Sequence, residues 1–382
     1  MRIVIDARMY GDFGIGRYNK NMVSSLQEID TKNEQSSFAP QNEYFILHTK
    51  KDYDDFNYKK NFKKIKANFH WYGITEQIKL PQILKKINPD LVHFPHFNVP
   101  IFYNGKFVVT IHDLTHQYYD MKQATTHSSF IYAVKQLGYK KVFKNAIFKS
   151  EKILVPSNYV KGLLIKEWKV PESKIVVTYE AVDDKIFAIA NILSSDSQEN
   201  SLNRYRIKPP YIFYIGNAHP HKNVNGLIKS FLKLKEKKEL KNLKLVLAGH
   251  DEYFWPRIKN EYNQKDIIYT GRISDLELVA LYKNAWAFVM PSFEEGFGIP
   301  LLEAMACGTP VVSSNVASLP EIGGDAVIYF DPKNIDDMAE KISQVLGSEK
   351  LRKELIVKGQ KRCQEFSWQK LAKQTLEVYN SV

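Results

Sequence analysis

PSFEEGFGIPLLEAMACGTPVV, from Pro291 to Val312, contains the transition on which the fold turns. The apolar run Ala287–Pro291 reads as a strand, a loop with two glycines follows, and the apolar residues after Gly298 recur at helical spacing. A strand that feeds a helix through such a turn is the repeating unit of a parallel sheet with helices on both faces. The turn also carries chemistry. Gly296 and Gly298 allow an oxyanion to approach the backbone, and the amides from Phe297 to Ile299 lie at the positive end of the helix dipole, which suits a diphosphate. Glu295 in the loop and Glu303 one turn into the helix can face the same ligand. Carboxylates are wrong for phosphate but right for accepting hydrogen bonds from sugar hydroxyls, so Glu295 suits a hexose and Glu303 a ribose. Glu294 reads as a solvated loop residue.

The same alternation extends in both directions. Upstream in the first half, strand-like runs occur at Arg2–Ala7, Tyr44–His48, Asp90–Phe94, Lys106–His112, Lys152–Pro156 and Lys174–Glu180, with helical stretches such as Ile78–Ile87 between several of them. The second half restarts the pattern at Tyr211–Gly216, Lys244–Gly249, Ile267–Gly271, Ala287–Pro291, Pro310–Ser313 and Ala326–Phe330, with helices such as Asn223–Lys235 and Asp275–Asn284. Between the halves, ANILSSDSQENSLNRYRIKPP is too rich in Ser, Asn and Pro to bury a core face and reads as linker or surface insertion. The expectation is an α/β chain of two doubly wound, Rossmann-like domains facing a central cleft, with functional residues beyond the C-terminal strand ends. The predicted boundaries are 1–183, a linker at 184–208, and 209–366, with a last helix over 367–382 that crosses back to the first domain.

A length of 382 residues suits two cores rather than one. The net charge of +12 favours partners that carry phosphate or an anionic membrane surface. Cys307 and Cys363 are too few for a disulfide framework or a zinc cluster, which fits a reducing cytoplasm. MRIVIDARMYG runs straight into a strand, unlike a signal peptide, and no apolar run approaches the roughly 18 residues of a membrane span. No basic and aromatic nucleic-acid motif of known spacing is present, so no nucleic acid is expected.

Three other loops hold candidate residues. YIFYIGNAHPHKNVNGLIKSF places Lys222 after a strand and before a helix. MYGDFGIGRYNKNMV places Gly14 and Gly16 after the first strand at a helix start, like a phosphate-binding loop, with Arg17 next to them, although a tight turn would ask for the same glycines. KFVVTIHDLTHQYY ends a strand-like run in His112 and Asp113. A metal site formed by His93, His96, His112 and His116 is a competing reading that no nearby cysteine or carboxylate-rich motif supports.

Taken together, the glutamate pair and the intervening Gly-Phe-Gly resemble the retaining family 4 glycosyltransferases, of the glycosyl transferases group 1, whose fold is the two-domain GT-B arrangement. The resemblance runs from Gly14 to about Val382. It implies donor-binding roles for Gly14, Gly16, Asp113, Arg272, Gly296, Phe297, Gly298, Ile299 and Glu303. Lys222 would clamp the donor phosphates, Glu295 would meet the hexose, and His112 would hydrogen-bond a hexose hydroxyl, oriented by Asp113. Relatives often carry an arginine in the Lys222 loop. Here the corresponding positions offer Asn217, His219 and His221, so a histidine or Arg272 could take its part.

IHDLTH, HKN and ASLPEIGGDA look most like bacterial mannosyltransferases of surface polysaccharide assembly. GDP-mannose is therefore the first donor, a UDP-hexose the second, and the acceptor a glycan or a lipid-linked one. A nucleotide-sugar epimerase or phosphorylase is the alternative enzyme. No cofactor and no metal are expected, because loop amides and lysine supply the charge a divalent ion gives other transferases. The basic, apolar-interleaved segment Ser128–Lys152 suits a helix on anionic lipid at the inner membrane face, or an ordinary helix packed on the first sheet.

Overall fold

The computed structural model describes residues 1–10, 13–32, 42–50, 53, 58–115 and 129–382. The chain divides into two compact units: one takes Met1–Leu114, Thr125–Glu180 and Ser367–Val382, and the other takes Ala181–Phe366. Each has its own parallel sheet.

The first unit contains strands β1 (Arg2–Asp6), β2 (Glu43–His48), β3 (Phe62–Lys66), β4 (Leu91–Phe94), β5 (Phe107–Thr110), β6 (Lys152–Val155) and β7 (Ile175–Val177), in the order β3-β2-β1-β4-β5-β6-β7. The order reverses between β1 and β4, so loops diverge there and leave a crevice at the C-terminal strand ends. Helices α1 (Phe13–Lys32), α2 (Ile74–Ile87), α3 (Ser129–Lys149) and α4 (Asn158–Trp168) connect the strands. Val4, Val92, Val109 and Ile153 on the sheet pack with Leu80, Phe143, Ile147 and Leu164 from the helices. On α3 the apolar residues Phe143, Ala146 and Ile147 therefore serve the core, while Lys140, Lys141, Lys144 and Lys149 are exposed. Strand β3 was not expected. Its FKKIK pattern at the sheet edge has one fully buried position, and edge lysines of this kind discourage pairing with other chains.

The second unit contains β8 (Tyr211–Ile215), β9 (Lys244–Ala248), β10 (Ile267–Gly271), β11 (Ala287–Met290), β12 (Val311–Ser314) and β13 (Val327–Phe330), in the order β10-β9-β8-β11-β12-β13, with its reversal between β8 and β11. Its core combines Ile212, Leu245, Val289 and Val312 with Leu227, Phe231, Met338 and Ile342.

The segment expected as a linker is instead two helices, α5 (Asp184–Ile192) and α6 (Ser195–Arg204), and it belongs to the second unit, which begins at Ala181. Asp183 and Ser194 cap them by accepting from Lys185 N and Ser197 N. Ile186, Ala190 and Leu202 are buried, and Arg204 and Tyr205 both bond Glu277 Oε1, at 2.8 and 3.0 Å. Ile186 and Ala190 are one helical turn apart on α5, and the polarity of the following stretch concealed Leu202 on α6. The final helix, Trp368–Asn380, is part of the first unit, where Trp368, Leu371, Thr375 and Tyr379 are buried.

Candidate functional site

In the second unit the switch point brings two predicted residues together. Lys222 follows β8 and Glu295 follows β11, and these strands are neighbours. Lys222 Nζ donates to Glu295 Oε1 at 2.7 Å and to Oε2 at 2.8 Å, while Ser292 Oγ donates to Oε1 at 2.7 Å. Both side chains are mostly buried, at 20% and 11% exposure, so the pair neutralises itself in a partly dry setting. Asn223, held at a left-handed φ of 53°, secures the loop after β8 by donating from Nδ2 to the carbonyls of Pro291 (3.1 Å) and Pro332 (2.9 Å). Phe293 N donates to His221 O at 2.7 Å, which ties the two loops together.

Gly298 caps helix α7 (Ile299–Ala306) with φ 103°, and a Cβ there would come within 2.8 Å of Leu319. Glycine is required on both counts. Ser318 Oγ lies between the carbonyls of Glu295 (2.9 Å) and Phe297 (3.0 Å), bracing the Glu295–Gly298 turn from the ASLPEIGGDA segment. Glu303 points inward from α7, 1% exposed, with the Tyr282 hydroxyl 3.3 Å from Oε2. Ser292 lies within the motif itself, whereas Asn223, Tyr282 and Ser318 are brought against it only by the closed sheet. The His219 ring lies tilted against Phe254, with centroids 4.8 Å apart. Arg272 is exposed and follows edge strand β10, with β9 between that strand and β8.

In the first unit, the sequence reading missed a buried cluster at the ends of β1 and β4. Arg8 meets Asp6 through Nε (2.7 Å) and Nη2 (2.6 Å) and meets Glu76 through Nη2 (2.6 Å), and Asn98 donates to Glu76 at 2.7 Å. Burial opposes the charge on Arg8, but the two carboxylates more than offset it and raise its pKa. Gly14 is exposed at the start of α1. Gly16 is buried, and a Cβ there would fall 2.3 Å from Tyr10 O, so this glycine is set by helix packing against the chain after β1.

His112 stands two residues past β5. The partner expected to orient it was Asp113, but the structure supplies Glu180 instead, whose Oε1 lies 3.0 Å from Nδ1, while Pro95 O lies 2.9 Å from Nε2. The charge of Asp113 adds to the pull of Glu180 on the ring. His93 bonds Tyr379 Oη (2.6 Å) and Thr110 Oγ1 (2.8 Å), and burial pushes it down to about 3, with the nearby His112 adding to the effect. His96 reaches Asn98 Oδ1 at 3.1 Å. His116 lies outside the described residues. Among the described residues no cluster of three or more His, Cys, Asp or Glu could hold a metal.

Two family models match the chain: Glycosyltransferase Family 4 over residues 42–185 and Glycosyl transferases group 1 over residues 197–362. O-antigen chain mannosyltransferase B of Escherichia coli is 33% identical over 234 residues, 59% of this chain and 60% of that protein. O-antigen chain mannosyltransferase RfbU of Salmonella typhimurium is 28% identical over 287 residues, 72% of each. The chain thus spans less than two thirds of the first relative's length. Among solved structures, a glycosyltransferase from Rickettsia africae superposes with TM-score 0.72 at 20% identity, covering 100% of this chain and 98% of that one. WaaG, a glycosyltransferase of lipopolysaccharide biosynthesis, gives 0.70 at 14% identity with 99% coverage of both. These likenesses establish the GT-B fold.

Proposed function

Since the chain belongs to the Family 4 and group 1 glycosyltransferases, we propose that it moves mannose from GDP-mannose, with retention, onto a glycan or lipid-linked acceptor in surface polysaccharide assembly. The observation that carries this reading is the Lys222–Glu295 pair at the β8/β11 switch point, beside the amide-bearing turn into α7. A nucleotide diphosphate brings negative charge for Lys222 and for the amides of Phe297 to Ile299, and hydroxyls for Glu295, so the paired residues exchange each other for the two ends of the donor. Glu303 is assigned to the ribose and His112 to a hexose hydroxyl. Glu295 has hydrogen bonds on both oxygens, which makes it an acceptor and a poor nucleophile. In the step that fits, the bond from anomeric carbon to phosphate oxygen breaks and the acceptor oxygen bonds that carbon on the same face. The acceptor proton passes to the departing phosphate.

Lysine and amides supply the positive charge, so no divalent ion is required. A donor-hydrolysis screen across nucleotide sugars tests both points. GDP-mannose should be hydrolysed fastest, at equal rates with and without EDTA. Preference for a UDP-hexose overturns the donor, and loss of activity in EDTA overturns metal independence.

We further propose that the first unit docks on anionic lipid. Among the described residues no helix is long and apolar enough to cross a membrane. Ile74 (81% exposed) and Ile78 on α2, Phe102 (79%), and Leu137 and Phe148 on α3 are large apolar side chains left in water. Their elements are joined by Ile101 N to Gln77 Oε1 (2.8 Å) and by Lys149 Nζ to Ile101 O (3.3 Å). Lys140, Lys141, Lys144 and Lys149 are exposed on the same helix, each worth about 1 kcal/mol near an anionic surface. Co-sedimentation with vesicles should rise with anionic lipid content and fall with salt. Binding that ignores lipid charge, or survives replacement of all four lysines by glutamine, rules the docking out.

A further inference from the structure

His112 is bonded at both ring nitrogens by groups that have no hydrogen to give. The carboxylate Oε1 of Glu180 is 3.0 Å from Nδ1, and the carbonyl of Pro95 is 2.9 Å from Nε2. A neutral imidazole carries one N–H and can satisfy only one of them, so the arrangement is complete only when both nitrogens hold protons. Glu180 itself is 5% exposed, reached from the chain after β7, and the ion pair it makes with the imidazolium has little water to compete for either charge. The ring is fixed from the side as well. Tyr18 of α1 meets it edge-on at 4.7 Å between centroids, and the Tyr18 hydroxyl is in turn held by Thr110 at 3.1 Å.

We infer that Glu180 is a positioning residue for the transfer reaction, holding His112 doubly protonated and aimed so that its Nε2 can only donate a hydrogen bond to an oxygen of the bound sugar. The inference rests on the reading of His112 as a sugar-contacting group. It adds what that reading lacks, a cause for the ring's orientation and charge. In the bound state the sugar oxygen shares or replaces the Pro95 carbonyl as acceptor, with no change in proton count.

The other groups facing His112 agree with this. Burial lowers the tendency of the ring to hold a proton, but Glu180, the Pro95 carbonyl and the charge of Asp113 more than offset it, so the pKa is raised from 6.5. His93, pushed down to about 3, is neutral beside it and adds no competing charge at neutral pH. Burial also raises Tyr18, which keeps that phenol neutral. With the folded value raised, the stabilisation from the pair is complete below the unfolded value and fades as pH climbs through the folded one.

The test uses Glu180→Gln in the full chain. The glutamine amide can donate to Nδ1, which preserves the contact with a neutral ring. Ring nitrogen NMR of histidine-labelled protein, with His112→Asn to assign the signal, should show His112 holding its second proton to higher pH in the parent than in Glu180→Gln. Donor-hydrolysis kcat should fall about ten- to a hundredfold at about pH 8, the scale lost when the partner behind a working histidine is removed, and should recover as pH drops, with KM for the donor little changed. In a His112→Ala background, Glu180→Gln should add nothing. An unchanged His112 titration or an unchanged pH profile overturns the inference. Full activity in His112→Ala, with the NMR result as expected, overturns the sugar-contact reading instead.

Discussion

Lys222→Ala should lower turnover by about two orders of magnitude or more, roughly what is lost when one fixed charge stabilising a transition state is removed. Negative charge grows on the diphosphate as the glycosidic bond breaks, and Lys222 is the cation that the β8 loop places beside the Glu295 turn. The substitution has a second consequence. It leaves the carboxylate of Glu295, 11% exposed, with the Ser292 hydroxyl as a donor but without its cation, so some stability is lost with the activity. Lys222→Ala combined with Glu295→Gln removes that uncompensated charge and should restore the melting temperature without restoring turnover. Near-native turnover in Lys222→Ala, in protein that melts cooperatively, would mean that His219, His221 or Arg272 carries the leaving-group charge.

Glu303→Ala should raise the donor KM about a hundredfold or more, since two hydrogen bonds from ribose hydroxyls to a carboxylate contribute about 1.5–3 kcal/mol each. Such bonds form in ground and transition states alike, so kcat should fall much less. The position of Glu303 makes this a demanding test. At 1% exposure beside the Tyr282 hydroxyl, the carboxylate could equally be a structural brace for α7. The two roles separate by calorimetry with the nucleotide diphosphate alone. A ribose contact predicts a large loss of affinity and a modest change in melting. A brace predicts a large fall in melting temperature with affinity intact, and that result removes the assignment.

What could be read from the sequence was what is local. Both sheets, the glycine turn at 296–298 and the strand-end positions of His112, Lys222 and Glu295 follow from short apolar runs and from the loops next to them. Strand β3 was missed because an edge strand rich in lysine has almost no apolar alternation. Helix α6 was missed because its buried Ser201 and Leu202 are diluted by exposed polar residues, and α5 because it is a short apolar run that leads straight into that polar stretch. The partners of the candidate residues were missed for a different reason. Glu180 lies 68 residues from His112, Tyr379 lies 286 from His93, and Lys222 lies 73 from Glu295, so the pairings are created by strand order and, for Tyr379, by the docking of the final helix. Asp113, adjacent in sequence, was therefore the natural choice, while the carboxylate bonded to the ring is Glu180. At Gly16 a local steric demand shows only in the fold, where a Cβ would fall 2.3 Å from Tyr10 O.

Retaining transfer from GDP-mannose can be tested without knowing the acceptor, because water can take the sugar. Proton NMR recorded during donor hydrolysis distinguishes the two anomers of free mannose before they interconvert. The sugar of GDP-mannose is α-linked, so the account predicts that α-mannose appears first and β-mannose grows in only at the rate of mutarotation. β-Mannose appearing first, or release of sugar from a UDP-hexose but not from GDP-mannose, would contradict it.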